Sequence, residues 1–293
     1  MKAFTLVGLL AAGALGLSAC GAPATVDQAV TSLGASPYLQ LHVTGSLSST
    51  NPNLTKAAFQ VKNLSLTLDL ASANGANLSG AGSSVDGEAR LAVAGTTVLD
   101  VRAIGANLYV EIDPARLDAL PGANVPEGVL AAADQMLQGR WFEIPQSLID
   151  PFAAAHQPSA AQVARAQALA RAVIAALASL VETAPSSSSH GTFTETGTLQ
   201  SVLDALAPVL GVATGATPTV AGTYSISLTT SGTTATAGSV TITSPSPRAL
   251  GPSSPVTVSV DATANHESRP VVTPADAIVV TPSMLGQLAA FGG

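Results

Sequence analysis

The sequence predicts an α+β domain whose antiparallel sheet is built from both ends of the chain, with central helices packed on one face. Three observations predict it. Leu64, Leu66, Leu68 and Leu70 alternate with Ser65, Thr67 and Asp69, so one strand face is apolar and the other polar. The strand-forming segments between Glu88 and Ile112 are joined by very short turns, which suit antiparallel pairing because parallel pairing needs long crossovers. Strand-like segments occupy both ends of the chain, and Ala-rich helical segments occupy its middle.

In chain order, the first strand is Tyr38 to Gly45, rich in strand formers and alternating. Leu64 to Leu70 follows, and the Gly/Ser/Asn-rich stretch Asn74 to Ser84 reads as a loop. Glu88 to Ala94, Val98 to Ile104 and Leu108 to Ile112 are the next strands, separated by turns at Gly95-Thr96 and Gly105-Ala106-Asn107. Pro114 to Leu120 reads as a short helix capped by Asp113, with proline at the first position. Pro126 to Leu137 reads as a second helix. Gly139 to Pro145 is a lone strand with the only tryptophan, Trp141.

Ser147 to Ala155 and Ser159 to Thr183 are the longest helical runs. In the latter, Val163, Ala166, Ala170, Val173, Leu177 and Leu180 fall at helical spacing. Pro185 to Ser189 reads as a flexible linker and marks a sub-boundary near 185–190. Beyond it come a polar strand at Thr192 to Thr198, a helix at Leu199 to Leu210, and strands at Gly222 to Thr229, Ser239 to Thr243 and Pro255 to Asp261. Ala277 to Val280 is a last short strand and Met284 to Phe291 a closing helix. The predicted organisation is a leader over 1–19, a tether over 20–37 and a single domain over 38–293. Two subdomains joined at Pro185 are the alternative.

The N-terminus carries the sharpest motif. Met1-Lys2 supplies a positive end, and Phe4 to Leu17 is an uncharged apolar run too short to span a bilayer as a helix. Leu17-Ser18-Ala19-Cys20 resembles a bacterial lipobox. That resemblance implies cleavage before Cys20, diacylation of its thiol, and attachment to the membrane on the exported side. Two acyl chains hold a protein on a bilayer where one does so only marginally. Cys20 is the one cysteine in the 293-residue chain, so the domain beyond it has no internal disulfide. An ordinary secretory signal with an incidental cysteine is the competing reading.

The totals narrow the function. Formal net charge is −7, with 11 Lys and Arg against 18 Asp and Glu, which disfavours nucleic acid as a partner. Charged residues are 10% of the chain against about 25% in an average soluble protein. The surface must therefore be made largely of Ser, Thr, Asn, Gly and Ala.

No nucleophile elbow, Ser-x-x-Lys pair or His-Glu-x-x-His is present. His42 sits in a strand as a packed or surface side chain, and His156, His190 and His266 lie in polar loop contexts and read as solvated. Asp69, Glu88, Asp100 and Glu111 fall on the polar strand faces and read as solvated too. The expectation is a protein without catalysis, cofactor or metal.

Two further segments carry a family resemblance. Val101-Arg102-Ala103-Ile104-Gly105-Ala106-Asn107-Leu108-Tyr109-Val110 and Gly139-Arg140-Trp141-Phe142-Glu143-Ile144 resemble blocks of the actinobacterial LppX/LprA/LprF/LprG-like envelope lipoproteins, themselves similar to the LolA/LolB lipoprotein carriers. The resemblance implies a half-barrel, a strongly curved antiparallel sheet with helices on its concave face. Between them an apolar cavity would take the acyl chains of a lipid or lipoglycan. The residues expected to line it are Leu64, Leu66, Leu68, Leu91, Val93, Val101, Leu108 and Trp141. The leucine and valine face is core in any arrangement, whereas Trp141 and Tyr109 are either at the cavity mouth or core anchors. The expected function is a lipid-anchored envelope protein that binds or carries an acylated ligand. A surface or scaffold lipoprotein acting through protein contacts is the alternative.

Overall fold

The computed structural model describes residues 32–49, 61–81, 84–119, 133–155, 186–189, 191–206, 220–232, 234–245 and 255–284. Cys20, the leader, the run from Ser159 to Thr183, His156 and His190 lie outside the described residues.

The strands are β1 (Tyr38–Ser49), β2 (Leu64–Ser72), β3 (Val85–Val93), β4 (Thr96–Ile104), β5 (Asn107–Ile112), β6 (Trp141–Ile144), β7 (Ser186–Ser189), β8 (Thr192–Thr198), β9 (Thr223–Ser231), β10 (Thr234–Ser244), β11 (Val256–Asn265) and β12 (Ile278–Val279). The helices are α1 (Gln146–Ala155) and α2 (Leu199–Leu206), with a 3-10 turn at Pro114–Ala119. The strands hydrogen-bond in two runs, β12-β6-β5-β4-β3-β2 and β11-β10-β9-β8-β7, and among the described residues the sheet is mixed and the helices are few and short.

The chain divides into two compact units. One contains β2 to β6, α1, β12 and residues 37–40. Its strands form a meander of consecutive antiparallel pairs, β2 with β3, β3 with β4, β4 with β5 and β5 with β6. The two-residue turn Ala94-Gly95 joins β3 to β4 with both residues at positive φ, 50° and 79°. That conformation matches the twist of a hairpin. A bulge follows the turn, with Val98 of β4 left between the pairs Leu91–Leu99 and Ala92–Thr97. β12 runs parallel to β6, and Val280 N–H donates to Glu143 O at 2.8 Å.

The other unit contains residues 41–62 and 158–266, including β7 to β11 and α2. β8 to β11 pair antiparallel in sequence. One face carries hydroxyls bonded across strands: Thr192 with Thr229, Ser227 with Ser239, Thr241 with Ser259 and Thr243 with Thr257. The register puts Phe193, Ile226, Val240, Ile242, Val258 and Val260 on the opposite face. Thr198 Oγ1 accepts the Ser201 N–H and caps α2.

Ser186–Ser189 is a correction to the expected linker. It is a strand paired to β8 through Glu195, Thr194, Phe193 and Thr192, and it lies inside one unit. Serine has little strand preference, but a ladder of backbone bonds needs no side chain, and here a strong neighbouring strand supplies it.

Candidate functional site: two faces of the meander

Register decides which side chains share a face, because residues directly opposite in an antiparallel pair point the same way. Across β2 to β6, Leu68, Ala89, Val101, Val110 and Phe142 form one row. Leu66, Leu91, Leu99 and Ile112 form the row on one side of it. Leu70, Gly87, Ala103, Leu108 and Ile144 form the row on the other. Leu64 pairs with Val93 at the end of β2. The face is apolar over five strands, as expected for Leu64, Leu66, Leu68, Leu91, Val93, Val101 and Leu108.

It is not the core, however. Each large apolar residue of those rows is only half-buried. The buried hydrophobic residues of this unit include Leu39, Ala71, Val98 and Tyr109 instead.

The opposite face carries the charges, and it is the better buried of the two. One of its rows is Asp69, Glu88, Arg102, Tyr109 and Glu143; the next is Thr67, Arg90, Asp100, Glu111 and Trp141. Trp141 therefore sits on the face away from the seven leucine and valine positions with which it was grouped. The odd–even phase of β6 places it with Glu111, while Phe142 and Ile144 take the apolar side.

Asp69, Glu88 and Asp100 are 2%, 8% and 4% exposed, which corrects their expected solvation. They are buried because two guanidiniums meet them. Arg90 Nη2 lies 2.6 Å from Glu88 Oε1 and 3.4 Å from Asp69 Oδ2, and Arg90 Nε is 3.8 Å from Asp100 Oδ2. Arg102 Nη2 lies 3.2 Å from Asp100 Oδ2 and 3.4 Å from Glu88 Oε1. Gln40 Nε2 donates to Asp69 Oδ1 at 2.6 Å. Charges at such depth persist only when paired.

The pairing is incomplete. Three carboxylates face two guanidiniums, and Asp100 Oδ1 and Arg102 Nε have no hydrogen-bond partner. Burial, then the charge of Glu88, pushes the Asp100 carboxyl up to about 6, against the hydrogen bond and charge of Arg102. Burial opposes the charge on Arg90, but its hydrogen bond to Glu88 and the charges of Glu88, Asp100 and Asp69 outweigh that and raise its pKa. The cluster can therefore hold a proton near neutral pH.

Arg102 also stacks over Trp141, 4.3 Å from the ring centroid, and its Nη1 donates to Val272 O at 2.9 Å. A guanidinium suits this place because its planar fork can stack on a ring and donate at its edges at once.

A cavity of about 230 Å³ lies beside the meander, lined by Thr97, Val98, Glu111, Ile112, Asp113, Gln138 and Gly139. None of the eight residues expected to line a ligand cavity is among them, and neither is Asp100. Among the described residues, no group of three or more His, Cys, Asp and Glu side chains could hold a metal ion. His266 is not solvated as expected: both ring nitrogens are enclosed without a hydrogen-bond partner.

Glu195 and Tyr224 form a buried ionisable pair in the second unit. Glu195 is 1% exposed, and Tyr224 donates its hydroxyl to Glu195 Oε1 at 2.9 Å. Burial raises the Glu195 pKa against the lowering effect of that bond. Burial, then the bond to Glu195 and its charge, pushes Tyr224 up to about 12. Gly197 pairs with Tyr224 and leaves room for the ring; a methyl group there would stand 2.6 Å from Tyr224 Cζ.

The charged rows were missed at the level of sequence, although a signal for them existed. Glu88-x-Arg90 and Asp100-x-Arg102 lie on strands joined by a short turn, and a hairpin register sets Glu88 opposite Arg102 and Arg90 opposite Asp100. No protein-family model matches the chain, and no curated protein matches it either.

Proposed function

We propose that this chain is a lipid-anchored envelope lipoprotein, held on the exported side by Cys20, that binds or carries a hydrophobic or acylated ligand without catalysis. The observation that carries the reading is the inverted meander: a continuous apolar face left half-buried while the charges of the other face are buried. A sheet normally turns its apolar face fully into the core, and large apolar side chains left partly accessible together offer surface that a ligand can cover. Acyl chains laid along Leu66, Leu91, Leu68 and Val101 would remove that surface from water, at about 25 cal/mol per Å². In this reading the sheet curves as a half-barrel around the ligand, with helices over its concave side. The lipobox-like Leu17-Ser18-Ala19-Cys20 supports the anchor.

Native mass spectrometry of the full chain after mild detergent extraction tests the reading. The expected result is a bound species with the mass of a lipid, lost on collisional activation. A folded protein that never carries or takes up lipid would overturn it.

A surface or scaffold lipoprotein acting through protein contacts is the second reading. One observation favours it: the cavity beside the meander is lined by Glu111, Asp113 and Gln138 rather than by the leucine and valine face.

A further inference from the structure

The segment after β11 crosses the charged face of the meander with little regular structure. From Glu267 to Ala277 it has no helix or strand, and Val272 is 61% exposed. Hydrogen bonds at two points along it tie it to the meander. Arg102 Nη1 donates to Val272 O, and farther on β12 pairs with β6 while Val280 N–H reaches Glu143 O. Arg102 is thus the side chain shared by the segment, the Trp141 ring and the carboxylates Asp100 and Glu88.

We propose that Glu267 to Val280 is a latch closed on the meander through Arg102, and that it opens when Asp100 ionises and the charged face carries its full excess of negative charge. Opening and proton release are linked. In the closed state Asp100 faces Glu88 and Arg90 from β3, Arg102 from its own strand and Glu111 from β5, with Asp69 and Glu143 in the adjoining row. The latch's own Glu267, Arg269 and Asp276 are exposed. Closed, the site leaves Asp100 Oδ1 without a partner, a cost that a neutral carboxyl escapes more easily than a carboxylate. Open, the guanidinium and the carboxylate are both hydrated and Asp100 ionises as in water. The closed state therefore binds the proton more tightly, and raising the pH favours opening. A carboxyl at about 6 when closed and about 4 when open changes the opening constant by at most about a hundredfold.

Hydrogen exchange on the full chain between pH 4.5 and 8, corrected for intrinsic exchange, reads the latch at the Val280 amide. Fluorescence of Trp141 reports the Arg102 contact in parallel. The expected result is a fall in Val280 protection of about tenfold or more between pH 4.5 and 6.5, levelling off above it, with a matching change in emission. Asp100→Asn should hold protection high at every pH, and Arg102→Lys should lower it at every pH, because an ammonium cannot stack and reach Val272 O together. Protection constant within twofold in the wild type would overturn the proposal. An Asp100→Asn variant that folds and keeps the wild-type pH profile would overturn it equally. Should that variant not fold, the wild-type profile alone decides.

Discussion

Arg102 meets two carboxylates, an indole ring and a backbone carbonyl. Removing it leaves Asp100 and Glu88 buried with Arg90 alone to compensate. Arg102→Ala should cost roughly 3–5 kcal/mol, the usual penalty for stripping one partner from a buried pair, checked by urea unfolding. A loss under about 1 kcal/mol would mean that water already reaches the cluster. At Gly197 the cause is space: Gly197→Ala drives a methyl into the Tyr224 ring and should destabilise by about 1–3 kcal/mol. Tyr224→Phe relieves no clash but strands Glu195, and its deficit should shrink at acid pH where Glu195 is neutral. The charged pairs could have been drawn from the sequence, since Glu88-x-Arg90 and Asp100-x-Arg102 are visible there. Their burial could not. Alternation gives the two faces of a strand and not which face ends up covered.

At the scale of elements, the β3–β4 hairpin turns through Ala94 at a φ of 50°, a region that costs an L-residue about 1–2 kcal/mol. Ala94→Asn should raise stability by about 1 kcal/mol in the same unfolding assay, because asparagine tolerates this conformation; a loss of stability would contradict the turn geometry. Strands with clear alternation and short turns were legible: the predicted segments at 64–70, 98–104, 108–112 and 192–198 all coincide with strands. Ser186–Ser189 was not, because four serines carry no pattern and their pairing is supplied by β8. The phase of β6 also went unread, since a four-residue strand is too short to reveal which of Trp141 and Phe142 faces the leucines.

For the whole molecule, two buried carboxyls are shifted the same way, Asp100 to about 6 and Glu195 upward. Each is raised above its unfolded value, so its stabilising contribution is complete below the ordinary carboxylate range near 4 and is lost as pH rises through the folded pKa. Melting should occur at higher temperature at pH 5 than at pH 7.5, and Asp100→Asn should flatten the difference. A melting temperature that rises toward pH 7.5 would contradict the burial of the charged face. The proposed lipid anchor has its own test: Cys20→Ser should release the chain from membranes or block its processing, and a variant still found with membrane in a mature lipidated form would contradict it.

In the proposed function the half-buried leucine and valine face takes acyl chains. A diazirine-bearing fatty acid, photolysed with the full chain and mapped by peptide mass spectrometry, tests it most directly. Adducts are expected on the peptides carrying Leu64 to Leu70 and Ala89 to Val93, abolished by Leu66→Asn with Leu91→Asn in a protein that still folds. Adducts elsewhere that survive this double substitution, or no adducts in the folded wild type, would contradict it.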